Sequence, residues 1–139
     1  MEKNEKITIE AKVKAPIEKV WKYWTDPKHI VKWNSASEDW HTTKTENNLQ
    51  VGGKFNSRME AKDGSMGFDF GGTYDEIKPG EKISYTLDDD RKVQVTFVEE
   101  DRQTKVVEVF ETETTNPVEM QRNGWQAILD NFKVYTESN

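Results

Sequence analysis

The two histidines of this 139-residue chain, His29 and His41, and its 26 acidic residues are the side chains best suited to acid–base or metal chemistry. The chain has no cysteine, so a zinc site would need both histidines together with carboxylates. His29 sits beside Lys28 in a short helical segment and is expected to face solvent. His41 follows Glu38-Asp39-Trp40, which leaves open an acid–histidine contact and a general acid–base role. Asp88-Asp89-Asp90 places three carboxylates in a row, but it lacks the alternating ligands and closing glutamate of a calcium loop. It reads as a solvated hairpin tip. Glu108, Glu111 and Glu113 read as solvated charges on the last strand, where they discourage edge pairing. No phosphate-binding glycine loop, nucleophile elbow or Ser-His-Asp order can be assembled. Hence no catalytic residue, metal site or cofactor is expected, and Gly71-Gly72 reads as a bulge or sharp bend inside a strand.

The other chemistry on offer is apolar burial. Phe55, Ser57 and Met59 share one face of a strand, as do Phe68 and Phe70, then Ile83, Tyr85 and Leu87, then Val93, Val95 and Phe97. With Trp125, Leu129 and Phe132 these residues surround a space in the manner of a ligand pocket, and also in the manner of an ordinary core. Tyr85, Ser57 and His41 are the nearest polar groups able to orient a ligand. Trp33 and Trp40 lie in the irregular stretch over one end of the sheet, as rim elements or as staples. Met66 stands near the tip of the Asp63–Gly67 hairpin, either closing a cavity mouth or simply exposed in a turn.

These residues must be positioned by a regular set of elements. Ile7, Ile9, Ala11 and Val13 alternate with polar residues and predict a half-buried strand. Pro16 opens a short helix whose Ile17, Val20, Trp21 and Trp24 form one stripe. Asp26-Pro27 starts a second, ending near Trp33. Period-two patterns predict strands near 38–44, 53–61, 68–77, 82–88, 91–99 and 104–114, an antiparallel meander with turns at Gly52-Gly53, Asp63-Gly64 and Pro79-Gly80. Asn116-Pro117-Val118-Glu119 reads as a capped start, with Asn116 as cap and Glu119 reaching back, of an amphipathic helix over 117–136.

Composition narrows the partners. Apolar residues make up 33% and aromatics 11%, with five Trp, which predicts a thin aliphatic core supplemented by large rings. The net charge of −6 and the lack of any basic run argue against a nucleic-acid partner. No stretch is long and apolar enough to span a membrane, and the charged start, Met1 to Lys6, carries no signal region. A cytoplasmic single domain over 1–139 is the expectation, and no oligomeric state is specified.

In this order the chain resembles the START-like (SRPBCC) superfamily and, within it, the branch named for activators of the Hsp90 ATPase. The resemblance rests on Ala15-Pro16 with Val20-Trp21, on Trp33, and on Val51-Gly52-Gly53-Lys54-Phe55. Gly72-Thr73-Tyr74 and Gly124-Trp125 with Ile128, Leu129 and Phe132 complete it, over about residues 6 to 136. It departs at Asn48 and Gln50, where members often carry an acid and a base. The resemblance implies an α+β helix-grip fold, with a curved antiparallel sheet of six to seven strands around a long C-terminal helix and two short helices after the first strand. It further implies a cavity for a small apolar ligand, aromatic, polyketide-like or lipid, lined by Trp33, Trp40, Phe55, Ser57, Met59, Phe68, Phe70, Tyr85, Phe97, Trp125, Leu129 and Phe132. The alternatives it leaves are a co-chaperone with a chaperone partner, as in eukaryotic members that join this domain to another, and a cyclase- or hydrolase-like enzyme.

Overall fold

A computed structural model describes residues 5–139; Met1 to Asn4, the start of the charged N-terminal stretch, lie outside the described residues. Seven strands form one antiparallel sheet in the order β1-β7-β6-β5-β4-β3-β2. Strand β1 (Lys6–Val13) buries every second residue, Ile7, Ile9, Ala11 and Val13, as its alternation predicts. Helices α1 (Ile17–Thr25) and α2 (Pro27–Trp33) then carry the chain to the far edge of the sheet. There β2 (Trp40–Asn47) begins a meander through β3 (Lys54–Ala61), β4 (Gly67–Lys78), β5 (Lys82–Leu87) and β6 (Lys92–Glu100). It returns at β7 (Gln103–Glu111), beside β1. The 21-residue helix α3 (Val118–Ser138) closes the concave face.

Two irregularities bend the sheet. The register shifts between Thr42 and Lys44 and again between Tyr74 and Glu76. The second shift changes parity: Tyr74 pairs with Tyr85, and Ile77 with Ile83. Gly71-Gly72 is not itself a bulge, since its pairing with Asn56 and Phe55 is regular. The expected bulge lies three residues on, at Asp75, and the glycines serve close approach instead. A Cβ on Gly72 would stand 2.5 Å from the carbonyl oxygen of Thr86, which leaves no room for a side chain.

The α3 start also differs from the expected capping box. Pro117, not Asn116, is the cap residue, with extended ψ of 144° and no side-chain cap bond. Asn116 falls one position too early, and Glu119 pairs with Arg122 at 3.5 Å rather than reaching back. Gln121 does the organising. Its Nε2 donates to the carbonyls of Glu113 (3.0 Å) and Asn116 (2.8 Å), and its Oε1 accepts from the backbone N–H of Glu113 (2.9 Å). A buried side chain thus satisfies three backbone groups between β7 and α3. Gln121→Leu leaves all three without that partner, and urea denaturation is expected to show a loss of about 2–3 kcal/mol. An unchanged midpoint would show that the loop holds itself.

Candidate functional site

Helix α3 divides into two halves with different surroundings. In its C-terminal half, Leu129, Phe132 and Thr136 are buried in solid packing. Phe132 receives the edges of Trp24 and Trp33, with ring centres 4.8 and 4.9 Å away, and Trp21 and Trp24 pack against Phe97 at 5.5 and 5.8 Å. Trp33 is fixed further by its Nε1, which donates to the Tyr23 carbonyl at 3.0 Å. Around the N-terminal half the sheet curls away, leaving a cavity of about 680 Å³ between α3, α2 and the inner faces of β3, β4, β5 and β7. Its wall is mostly apolar and aromatic.

Of the twelve residues expected to line a pocket, eight do so: Trp33, Trp40, Phe55, Met59, Phe68, Phe70, Tyr85 and Trp125. Phe55 packs edge-on against Tyr85 at 4.9 Å, and Phe70 against Trp125 at 6.0 Å. Trp125 lies flat on Phe110, 4.1 Å between rings and 6° from parallel. Trp40 and Phe68 face each other at 5.8 Å, with Phe68 47% exposed at the rim. The other four stand outside the cavity wall. Phe97 and Phe132 are consumed by the packing with Trp21, Trp24 and Trp33, and Leu129 is buried in the same core. Ser57 is buried on the same strand face as Phe55, but its hydroxyl is bonded to that of Thr45 at 3.1 Å.

Three polar expectations are corrected. His41 is exposed on β2 opposite Glu60 and is not part of the cavity wall, so it cannot orient a ligand there. His29 is half-buried rather than solvated. Its ring stacks on Tyr23 at 3.9 Å, and its Nδ1 is 2.7 Å from the Tyr135 hydroxyl, because α2 turns this face onto α1 and α3. Glu108 is not a solvated edge charge. It is 6% exposed, faces the cavity, and is in phase with Val106 and Phe110 rather than with Glu111. Met66 is 66% exposed and lies outside the wall. No cluster of His and acidic residues able to hold a metal ion occurs among the described residues.

The cavity's polar groups differ in how far they are satisfied. The Tyr74 hydroxyl donates to Asn47 Oδ1 at 2.5 Å; burial pushes its pKa up to about 12, against the opposing pull of that bond. Arg91 Nε donates to Asp89 Oδ2 at 2.7 Å, and Glu113 accepts from the N–H and side chain of Asn116. Tyr85 is held well above the ordinary tyrosine value by burial, then by Glu108 and Tyr74 nearby. Glu108 makes no hydrogen bond or ion pair among the described residues, and burial alone raises its carboxyl to about 8. Its register neighbours, Val95 and Ile9, are apolar. A neutral carboxylic acid therefore faces an apolar hollow near pH 7.

A curled seven-stranded sheet gripping one long helix over such a hollow defines the class: a helix-grip protein of the START-like kind. The comparisons then narrow it. The family described as "Activator of Hsp90 ATPase homolog 1-like protein" matches residues 14–137, and the chain belongs to that family. Among solved structures it is similar to the AHSA1-like protein of Aeromonas hydrophila, at 48% identity and TM-score 0.91 over 96% of this chain and 93% of that one. It is also similar to Chr148 of Cytophaga hutchinsonii, at 54% identity and TM-score 0.83 with the same two coverages. CV1439 of Chromobacterium violaceum follows at 27% identity and TM-score 0.87, over 97% of this chain and 99% of that one. No curated protein matches. No helix among the described residues is long and apolar enough to cross a membrane.

The Glu108 acid makes stability depend on pH with a definite sign. Between the ordinary glutamate value of 4.5 and about 8, the folded state holds a proton that the unfolded state has released. Its contribution is fully present below 4.5 and is lost as pH rises to about 8, at about 1.4 kcal/mol per pH unit. Glu108→Gln cannot titrate there. The difference in unfolding free energy between the wild type and this variant is expected to fall with pH across that window and to level off above it. A flat difference would mean that the carboxyl is ionised in the folded protein.

Proposed function

We propose that this protein binds a small, largely apolar, aromatic or acyl-chain ligand in the cavity between α3 and the sheet, without chemical conversion. The observation that carries this reading is Gly124. It lies inside α3, where glycine costs about 1 kcal/mol relative to alanine, yet a Cβ placed on it would meet nothing within 4 Å. Close helix packing therefore does not require a glycine there. What the missing side chain does is enlarge the cavity that Gly124 lines. A volume of about 680 Å³ lies within the range of small-molecule sites, and burial of apolar ligand surface would supply most of the affinity. The expected cytoplasmic setting belongs to the same proposal.

The co-chaperone reading calls for a contiguous exposed patch away from the cavity. Among the described residues, the exposed large apolar ones other than Met66 and Phe68 are Val51, Val98, Met120 and Val134. They lie singly in the β2–β3 turn, on β6, and at opposite ends of α3. The distribution favours the cavity.

Two substitutions at one position test it. Gly124→Ala is expected to raise stability by about 0.5–1 kcal/mol and to leave binding of the uncharged fluorophore N-phenylnaphthylamine intact. Gly124→Leu fills the hollow and is expected to weaken that binding at least about tenfold while the protein stays folded. Native mass spectrometry of the wild type should show one small molecule per chain. Equal binding by the Leu variant, or none by the wild type, rejects the cavity as the site.

A further inference from the structure

Glu108 is the one cavity side chain whose placement the packing does not explain. It occupies an inward position between Val106 and Phe110 of β7, with Ile9 of β1 and Val95 of β6 beside it. A leucine would continue that apolar row of the sheet. The Glu108 carboxyl instead has no hydrogen-bond partner among the described residues and meets the open cavity in place of a packed neighbour. Three of the other ionisable groups of the wall are already engaged: Arg91 with Asp89, Glu113 with Asn116, and Tyr74 with Asn47. Glu108 and the nearby Tyr85 have no such partner, and both open onto the cavity.

We propose that Glu108 is the polar anchor of the cavity: its carboxyl group hydrogen-bonds an acceptor oxygen of an uncharged, flat aromatic ligand. This rests on the cavity taking a ligand at all, and it names the class. The groups beside Glu108 and along the cavity wall fit no ionic ligand well. From β5 and β4 come the hydroxyls of Tyr85 and Tyr74, which stay protonated. Val95 of β6, Ile9 of β1, and Trp125 and Ile128 of α3 bring no charge. Arg91 and Glu113 share the cavity with their charges already bonded. An anionic or cationic ligand would lose its hydration to neutral donors and apolar rings, whereas a carbonyl or ether oxygen loses little and meets a strong donor. The faces of Phe55, Phe70 and Trp125 suit a flat ring system.

The probes are acetylnaphthalene and ethylnaphthalene, which have the same shape and differ by one carbonyl oxygen, with aminomethylnaphthalene as the cationic counterpart. Affinities are read by quenching of tryptophan fluorescence and by calorimetry. In the wild type near neutral pH the ketone is expected to bind about three- to tenfold tighter than the hydrocarbon, the yield of one good hydrogen bond. That preference should fade as pH rises past about 8, where the carboxyl loses its proton. Glu108→Gln keeps an N–H donor that does not titrate, so the preference should persist at every pH. Glu108→Leu should abolish it, the ratio of ketone to hydrocarbon affinity falling to about one at every pH. A preference that is absent in the wild type, is retained by the Leu variant, or grows with pH overturns the anchor and leaves the cavity reading standing. Tighter binding of the amine than of the ketone does the same. If neither neutral probe binds the wild type, the cavity reading fails, and the anchor with it.

Discussion

Seven strands spaced about 4.8 Å apart span roughly 29 Å, whereas one helix with its side chains is about 10–12 Å across. That mismatch governs this molecule. Helix α3 can lie close against only part of the sheet, and it lies against β1, reaching β7 through the stack of Trp125 on Phe110. The strands beyond have an apolar face and no second long helix to cover it. The sheet answers by curling, with register shifts near Thr43 and Asp75 and a glycine pair that lets β5 press close at Gly72. Curling brings Phe55, Phe70 and Tyr74 round toward the helix but does not bring them into contact with all of it. The remaining gap is the cavity.

The short helices decide which half of α3 is packed and which is left open. Trp21, Trp24 and Trp33 fill the space between Phe97 and Phe132, at the end where α1 and α2 cross the sheet. Their large rings account for how a chain with 33% apolar residues closes a core at all. At the other end nothing comparable is supplied. Trp125 is pinned against Phe110 rather than thrust into the gap, and Gly124 offers no side chain. The rigid end thus supports an open one, an arrangement suited to holding a pocket in shape with no occupant present.

Much of this was legible in the sequence, because alternation reports faces directly. The seven strands, the two short helices and the long helix follow from period, proline and turn residues, and the shared faces of Phe55 with Met59 and of Phe68 with Phe70 follow from parity. Parity also held the signal for Glu108, two residues from Val106 and two from Phe110, but an acid in an acid-rich chain reads first as surface. What spacing could not tell is where core ends and cavity begins. Trp125, Leu129 and Phe132 share one helical stripe, yet only the first borders empty space, and the difference lies in α1 and α2, about a hundred residues away. The bulge at Asp75 was hidden for a similar reason. It is set by pairing with β5, and its own residue type is ordinary. Capping failed by a single position, which moved the work from Asn116 to Gln121.

Gly124 and Glu108 make the same physical point, one from the helix and one from the sheet. Each sits where a different residue would make the isolated fold more stable: alanine or leucine in the helix, leucine in the strand. Each departs from local consistency in a way that nothing in the surrounding packing repays. Natural sequences concentrate such departures at sites of function, because a residue kept for binding is held to a different criterion from one kept for folding. One chance departure in a domain of this size would carry little weight. Two that face one hollow, one enlarging it and the other placing a carboxyl with no protein partner in it, are the departures on which the proposed ligand site rests.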